Sequence, residues 1–301
     1  MLETKIKEWR LVEVGKNRGI FNTNLDQAIR ESVEQGKSPP TLMFTEWKPT
    51  VSIGVIESLE KDVNLKACAS HNVGVVRRLS GGNSVYLDEG YIVFSLIAPM
   101  TPFYNRLDKT GLCRDFCNVV VTALKKFQIP AEFYEPDNII IRRGDNIQTV
   151  GNSGQRIGNV FYAHGSIRYE LRSFDVFLDV LKINGHSIHE FGSDIKKVLG
   201  EVKSYDNSLT KERIKEEIVS CFSKKNNVTF KRQKLTKEEI ARTIALSGEQ
   251  EENGWLNGRS DYNAKGICYL FLKGNNLVPS LQQILPYSRP SPPEEGSEIY
   301  A

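Results

Sequence analysis

The chain has 301 residues, with 40 Lys and Arg against 37 Asp and Glu, a formal net charge of +3 and 40% hydrophobic residues. This composition is typical of a folded, water-soluble protein, and a charge so near neutrality excludes nucleic-acid binding by the whole surface. No apolar run reaches the roughly 18 residues of a membrane span, and the first residues, MLETKIKEWR, are charged where a signal peptide is apolar. We therefore expect a cytoplasmic protein with no membrane partner.

The N-terminal part predicts strands around one amphipathic helix. WRLVEV predicts a strand, and Leu25, Ile29 and Val33 then share one face of a helix. TLMFTEW and TVSIGVI, separated by Lys48-Pro49, predict adjacent strands of a mainly antiparallel sheet. After a polar helix, VGVVRRLSGGNSVYLDEGYIVFSLIAP predicts a strand, a glycine turn, a strand, a loop and a further strand.

The remainder predicts a second helix, more sheet and then a helical, polar region. The second helix runs from about 110 to 127, and short apolar runs with Gly and Asn turns follow it up to residue 168. Helices scattered among short strands, without a strand-helix-strand rhythm, predict an α+β fold. We expect a main domain over 1–235, a small C-terminal accessory region over 236–285 and a disordered tail over 286–301.

Cysteine and histidine spacings do not predict a metal site. The five cysteines are an odd number and do not read as a disulfide framework. Cys113 and Cys117 share a helix face, and core packing is the better interpretation because no second Cys or His pair has suitable spacing. His186 and His189 lie three apart, and no third ligand accompanies them.

The segment RRLSGGNSV carries parts that can bind an anion. Arg77 and Arg78 end a predicted strand and point to opposite faces of it. Gly81 and Gly82 follow, and glycine lets main-chain N–H groups approach a ligand closely. On these residues alone, either an anion-binding loop or an ordinary hairpin turn with exposed arginines is consistent with the pattern.

RRLSGGNSVYLDEG, preceded by TEWKPTVSIG and followed by YAHGS, resembles the lipoate protein ligases and the related octanoyl and lipoyl transferases. Their hallmark is RRxxGGGxVxHDxG, and the resemblance runs from about Trp9 to Arg168. It extends weakly to LTKEEIARTIALSGEQEENGWLNGRS. The resemblance implies a catalytic domain of the biotin ligase and class II synthetase type: a mixed, mainly antiparallel sheet flanked by helices.

The resemblance also implies a reaction. Lipoate or octanoate condenses with ATP, which carries Mg²⁺, to an acyl-adenylate, and a lysine of a lipoyl domain then takes the acyl group. The expected acceptors are the E2 subunits of 2-oxoacid dehydrogenases and the glycine-cleavage H protein. The positions that the resemblance marks as catalytic are Arg77 and Gln148. The positions that it marks for substrate and ATP are Arg78, Gly81, Gly82, Asn83, Ser84, Asp88, Gly54, Asn138, Gly151 and His164. Val51, Ile53 and Val55 are expected to cover the acyl chain.

Several residues depart from the family pattern. The third glycine is Asn83, the histidine of the HD pair is Leu87, and a usual glutamine is Glu57. The lysine of a KxxG element is Gln148, which donates N–H bonds but brings no charge. A lost electrostatic donor typically costs about 10² to 10³ in rate, so efficient adenylation by the usual route is in doubt.

Three alternatives follow from the missing lysine. A nearby arginine supplies the charge, for which the candidates are Arg142, Arg143 and Arg156. The chain receives preformed acyl groups, or it binds lipoyl domains without catalysis. A cysteine thioester is not expected, because IPAEFYEPDNII, where the family's transferases carry their cysteine, contains none.

A basic stretch near the C-terminal part is either a solvated face or a landing patch for an acidic lipoyl domain. Between Glu217 and Glu238 it contains six basic residues and no acidic one: Lys224, Lys225, Lys231, Arg232, Lys234 and Lys237. A nucleic-acid partner is not expected, because no helix-turn-helix precedes the main domain. The region after Trp255 is short for a complete domain, which leaves room for a separate accessory subunit.

Overall fold

The computed structural model describes residues 8–100, 109–135, 137–143, 146–156, 159–183, 185–191, 194–252 and 256. The strands of its largest sheet are β1 Glu8–Asn17, β2 Thr41–Trp47, β6 Tyr91–Pro99, β7 Ala131–Tyr134, β8 Asn138–Arg143, β9 Asn146–Arg156, β10 Val160–Arg168 and β13 Thr229–Arg232. A smaller sheet contains β3 Thr50–Ile53, β4 Gly74–Arg77 and β5 Val85–Leu87, and β11 Lys182–Ile183 pairs with β12 His186–Ser187. The helices are α1 Gly19–Glu34, α2 Leu59–Asp62, α3 Leu65–Ser70, α4 Lys109–Lys125, α5 Phe174–Val180, α6 Asp194–Val198, α7 Lys211–Asn226 and α8 Lys237–Glu252.

The large sheet has the order β13-β1-β2-β6-β10-β9-β8-β7. The β13, β1 and β2 strands run parallel, and every other neighbouring pair is antiparallel. Helices cover both faces. The predicted α+β fold with a mixed, mainly antiparallel sheet is therefore confirmed.

The two faces of β1 show how the alternating side chains of a strand sort between two cores. Trp9 and Leu11 join the larger core, which also includes residues of α4 and α7. Val12 packs with residues of α1 on the opposite face, where the Arg10 side chain also lies. Both faces of the central strands are buried. The side chains on these strands are therefore held in fixed positions by packing on either side.

Two strands differ from the sequence prediction. β3 was expected to lie beside β2, but it pairs parallel with β4 and antiparallel with β5 in the smaller sheet. Lys48 and Pro49 carry the chain from one sheet to the other, and proline cannot donate to a ladder. β13, an edge strand parallel to β1, was not predicted at all.

Helix α8 is tied to the large sheet by a buried ion pair. The Arg10 guanidinium donates to both carboxylate oxygens of Glu239, at 3.0 and 2.6 Å, and both side chains are 1% exposed. Thr236 and Glu239 also cap the helix reciprocally, each accepting the other's main-chain N–H. The division at residue 235 stays a prediction, and the tail 286–301 with most of the accessory region lies outside the described residues.

No helix in the described part of the chain is both long and apolar enough to cross a membrane.

Candidate active site

The loop between β4 and β5 is held by the side chain of Arg78. Its guanidinium donates to the carbonyl oxygens of Ser52, Gly81 and Asn83, each at 2.8 Å. The side chain is 5% exposed, and its burial lowers the pKa to about 10. Gly82 has φ +89°, and its Cα lies against this guanidinium. Arg78 therefore fixes the conformation of the glycine loop as well as bringing charge to it.

Arg77 points to the opposite face, as predicted for neighbouring residues of a strand. Its guanidinium donates to the carbonyl oxygens of Gly54 and Glu57, both at 2.8 Å, and to that of Leu256 at 3.0 Å. It lines a separate cavity of about 710 Å³, together with Arg18 and Lys48. These contacts are all to main-chain oxygens and do not test a role in catalysis. The expected catalytic role of Arg77 therefore stays a prediction.

Gly54 is the point where β3 meets the glycine loop. A Cβ at this position would lie 2.1 Å from the carbonyl oxygen of Gly82 and 3.0 Å from Cγ of Glu57. Only glycine permits that approach. Asp88 has a related local role after β5, because its carboxylate accepts the main-chain N–H of Gly90 at 2.7 Å.

A cavity of about 390 Å³ opens beneath the glycine loop. Its apolar lining consists of Ile56, Val85, Phe177, Leu181, Ile183, Ile188, Ile195 and Leu199. Its polar and glycine lining includes Gly82, Asn83, Ser84, Asn138, Gly151 and Asn152. Of the residues expected at the site, the sheet and loop thus bring five together here.

The acyl-covering residues expected on β3 do not line this cavity. Val51 and Ile53 are fully buried in the core between the small sheet and α5, and Val55 is not among the lining residues. Most of the apolar lining comes instead from α5 and the segment after it, which the sequence pattern marked only as helical. The signal that could have found them is the run of large apolar residues from Phe174 to Ile195 in a polar part of the chain.

A second, polar chamber of about 50 Å³ adjoins the cavity and shares Gly82, Asn83 and Asp137 with it. Burial raises the pKa of Asp137 to about 6, and the nearby Arg78 charge opposes this shift. His164 is expected at the site and does line the chamber. Its Nε2 lies 2.7 Å from the Ser80 hydroxyl, and burial, followed by the Arg78 charge, lowers its pKa to about 3. His164 is therefore neutral at physiological pH.

Another ionisable pair, Tyr162 and Asp26, lines the chamber. The Tyr162 hydroxyl donates to Oδ2 of Asp26 at 2.7 Å, while Oδ1 of Asp26 is buried without a hydrogen-bond partner. Burial raises the pKa of Asp26 to about 6, and the bond from Tyr162 opposes this shift. No motif in the sequence marked either residue.

Gln148 does not point into the cavity. Its amide donates weakly to the carbonyl of Lys197, at 3.4 Å, and the cavity is lined instead by its neighbours Thr149, Val150 and Gly151. Of the three arginines considered as a replacement charge, Arg142 pairs with Glu132 at the surface. The side chains of Arg143 and Arg156 lie outside the described residues.

Three described cations do reach the cavity or the chamber, and each donates to main-chain carbonyls. They are Arg78, Arg168 and Lys182. Arg168 donates to the carbonyls of Thr149 and Gly200, at 2.8 and 3.1 Å, and Lys182 to that of Glu60 at 3.3 Å. No sequence motif marked Arg168 or Lys182 as a site residue.

Two buried carboxyl groups also line the cavity. Glu57 and Asp62 are 6% and 1% exposed. Burial, followed by the hydrogen bond and charge of Glu57, raises the pKa of Asp62 to about 8. Glu57 was noted in the sequence only as a departure from glutamine, and Asp62 was missed, although it is a polar residue on the buried side of a short helix.

The described cysteines and histidines pack or pair locally. Cys113 and Cys117 are buried, and their Sγ atoms lie 3.2 and 3.3 Å from Oγ of Ser153. His186 contacts Glu190, and His189 contacts Asp179. Within the described ranges, no three His, Cys, Asp or Glu side chains are grouped so that they could hold a metal ion.

The basic stretch is partly neutralised. Lys225, Lys231 and Arg232 each form an ion pair, with Asp115, Glu8 and Glu13 respectively. Its role as a landing patch stays a prediction.

The large sheet and the glycine loop between β4 and β5 agree with one known family of catalytic domains. The profile of the Lipoyl protein ligase A/B catalytic domain matches residues 19–223, and the chain belongs to this family. It is 30% identical over 271 residues to Octanoyltransferase LipM of Moorella thermoacetica, which covers 83% of this chain and 98% of the relative. It is also 26% identical over 273 residues to Octanoyltransferase LipM of Anoxybacillus flavithermus, covering 83% and 97% of the two chains.

Solved structures share the fold at lower identity. A bipartite lipoate protein ligase from Thermoplasma acidophilum, studied with its E2 lipoyl domain, superposes with a TM-score of 0.73 at 20% identity, covering 85% of this chain and 100% of that one. A lipoate-protein ligase A bound with ATP superposes with a TM-score of 0.68, also at 20% identity, covering 83% and 99%. The class II synthetase-like fold expected from the resemblance is thus confirmed.

Proposed function

We propose that this chain transfers an octanoyl or lipoyl group from a preformed thioester to a lysine amine of a lipoyl-domain protein. The observation that carries the proposal is the cavity of about 390 Å³ beneath the glycine loop. Its apolar lining residues suit a medium-length hydrocarbon chain, and its polar and glycine residues suit the acyl carbonyl group. The names of the relatives, octanoyltransferases, agree with this chemistry.

The charges around the cavity favour a preformed donor. Activation by ATP brings a carboxylate to a phosphate, and fixed positive charge is needed to bring those anions together. Arg78, Arg168 and Lys182 all donate to main-chain carbonyls, and Gln148 brings no charge. The adjoining chamber, at about 50 Å³, has room for a few water molecules rather than a nucleotide. A thioester is already activated, so neither requirement applies to it.

ATP-dependent activation of free lipoate or octanoate is the second candidate. It is favoured by the cavity of about 710 Å³ lined by Arg18, Lys48, Arg77 and Glu251. Glu251 pairs with Arg18, and the positive charges of Lys48 and Arg77 remain to suit a polyphosphate. Mg²⁺ would then arrive with the nucleotide as part of the substrate. The expected accessory region, or a separate accessory subunit, would take part in this ATP-dependent reaction.

The acceptors expected from the resemblance, E2 lipoyl domains and the glycine-cleavage H protein, are part of the proposal. A cytoplasmic location is also part of the proposal. The four described cysteines are free thiols, which agrees with a reducing compartment. A chain that binds lipoyl domains without catalysis is the alternative that the experiment must exclude.

The test incubates the purified chain with an unmodified lipoyl domain and follows the intact mass of that domain. One arm contains an octanoyl thioester of a carrier protein without nucleotide, and the other contains octanoate, ATP and Mg²⁺. We expect the octanoyl adduct in the first arm. A lipoyl domain with arginine in place of the acceptor lysine is the control, and it must remain unmodified. An adduct only in the second arm supports the ligase, and no adduct in either arm supports a binding protein.

A further inference from the structure

Glu57 and Asp62 form a buried carboxyl pair. Both line the cavity of about 390 Å³. Both oxygens of Asp62 and Oε2 of Glu57 are buried and have no hydrogen-bond partner outside the pair. A buried polar atom without a partner loses its hydration and gains nothing in return. The pair is therefore an acceptor site that a ligand with N–H groups would satisfy.

The pair lies beside the glycine loop. Cγ of Glu57 and the carbonyl oxygen of Gly82 both crowd Gly54, so the Glu57 side chain adjoins the loop. Ile56, the neighbour of Glu57, lines the same cavity and is 47% exposed. The carboxyl pair therefore shares the cavity with the glycine loop and with a solvent-exposed residue.

A neighbouring cation, Arg77, offsets part of the charge of this region. It interacts electrostatically with both carboxyl groups. Its guanidinium donates hydrogen bonds to the main-chain oxygens of Gly54, Glu57 and Leu256. A group that satisfies the carboxyl oxygens must be positively charged or rich in hydrogen-bond donors. The ammonium group of a lysine side chain meets this condition.

We infer that Glu57 and Asp62 bind the ammonium group of the acceptor lysine and that Asp62 takes its proton. This inference rests on the proposed transfer of an acyl group to a lysine, and it applies whether the acyl donor is a thioester or an adenylate. A lysine amine is a nucleophile only after it loses a proton, and a base works best when its pKa is near the working pH. The raised pKa of Asp62 suits that task.

With a thioester donor, the lysine ammonium gives one proton to the Asp62 carboxylate, and the free amine attacks the acyl carbon. The new C–N bond forms, the C–S bond breaks, and the second amine proton goes to the departing thiolate. Asp62 then returns its proton to the solvent. The products are an amide, a thiol and one proton.

The first experiment compares the wild type with Asp62→Asn and Glu57→Gln in transfer to the lipoyl domain. Loss of a general base typically costs about 10² to 10⁴ in rate, so we expect Asp62→Asn to lose at least about 10²-fold in kcat. Glu57→Gln should lose less, because Asp62 remains but its pKa falls. Glu60→Gln is the matched control, because Glu60 is exposed on the same helix and its side chain does not line the cavity.

A neutral nucleophile separates a proton-accepting role from a structural one. Hydroxylamine is uncharged at pH 8 and needs no base. After subtraction of the uncatalysed rate, acyl transfer to hydroxylamine should be the same in the wild type and in Asp62→Asn. Equal losses with lysine and hydroxylamine would overturn the inference, and so would wild-type transfer to lysine by Asp62→Asn.

A binding measurement keeps the inference testable if no transfer is detected at all. We expect n-hexylamine, which is protonated at pH 8, to raise the Tm of the wild type, while n-hexanol, with the same chain and no charge, raises it less. The doubly substituted variant, Glu57→Gln with Asp62→Asn, should lose this difference. An equal shift with both compounds contradicts an amine site, whereas absence of acyl transfer with a retained hexylamine effect contradicts only the proposed function.

Discussion

The close approach at Gly54 gives the sharpest prediction about the site. In Gly54→Ala the new Cβ would lie 2.1 Å from the carbonyl oxygen of Gly82, whereas real contacts of this kind are at least 3.0 Å. The loop must therefore shift by about 0.9 Å or more. It cannot yield easily, because Arg78 holds the flanking carbonyls of Gly81 and Asn83 at 2.8 Å.

A displacement of about 1 Å in a catalytic geometry can cost about 10²-fold in rate, and crowding a packed site costs about 1–3 kcal/mol of stability. We expect both losses in Gly54→Ala, measured by lipoyl-domain modification and by urea unfolding. Gly81→Ala is the matched control in the same loop, because a Cβ there would meet no atom within 4 Å and Gly81 has no positive φ. Gly81 was expected at the site, but it lines neither the cavity nor the chamber. Wild-type activity in Gly54→Ala, or an equal loss in Gly81→Ala, would refute this reasoning.

Three further substitutions test the electrostatics of the fold. Arg10→Ala leaves the Glu239 carboxylate buried and unpaired, and should cost about 3–5 kcal/mol in urea unfolding; a loss below about 1 kcal/mol would show that α8 is not held by this pair. In Arg78→Lys, the lysine cannot make the three hydrogen bonds that Arg78 donates to carbonyl oxygens. The free energy of unfolding should fall by at least about 2 kcal/mol, and unchanged stability would contradict this prediction. The pKa of Asp26 is raised from 3.8 to about 6, so the folded state binds a proton that the unfolded state has already lost between these pH values. The free energy of unfolding should therefore fall by about 3 kcal/mol as the pH rises from 3.8 to 6. Asp26→Asn should remove that fall in unfolding curves recorded from pH 4 to 7.5, and an unaltered pH dependence would contradict the assignment.

Local patterns predicted much of the fold, because they depend on residues close together in sequence. The apolar face of α1, the helix Lys109–Lys125 and the strand order around the glycine turn all follow from short-range periodicity. The pairing of β3 with β4 and the attachment of β13 beside β1 do not, because such pairings join segments far apart in the chain. Local periodicity gives a strand its faces but not its neighbours.

The site was predicted in part for the same reason. The motif brought Gly82, Asn83 and Gly151 to one cavity, because those positions lie on the loop and on β9, which faces it. The apolar lining from α5 onward could not be assigned without the fold. The carboxyl of Asp62 gains its character from burial beside Glu57, and burial is a property of the packed structure rather than of the sequence motif.

The most direct measurement of the proposed activity is the intact mass of an unmodified lipoyl domain after incubation with the chain and an octanoyl thioester, without any nucleotide. The preformed-donor mechanism predicts complete conversion to the octanoyl adduct at the acceptor lysine, at a rate that added ATP does not change. Conversion that requires ATP and free octanoate would contradict it.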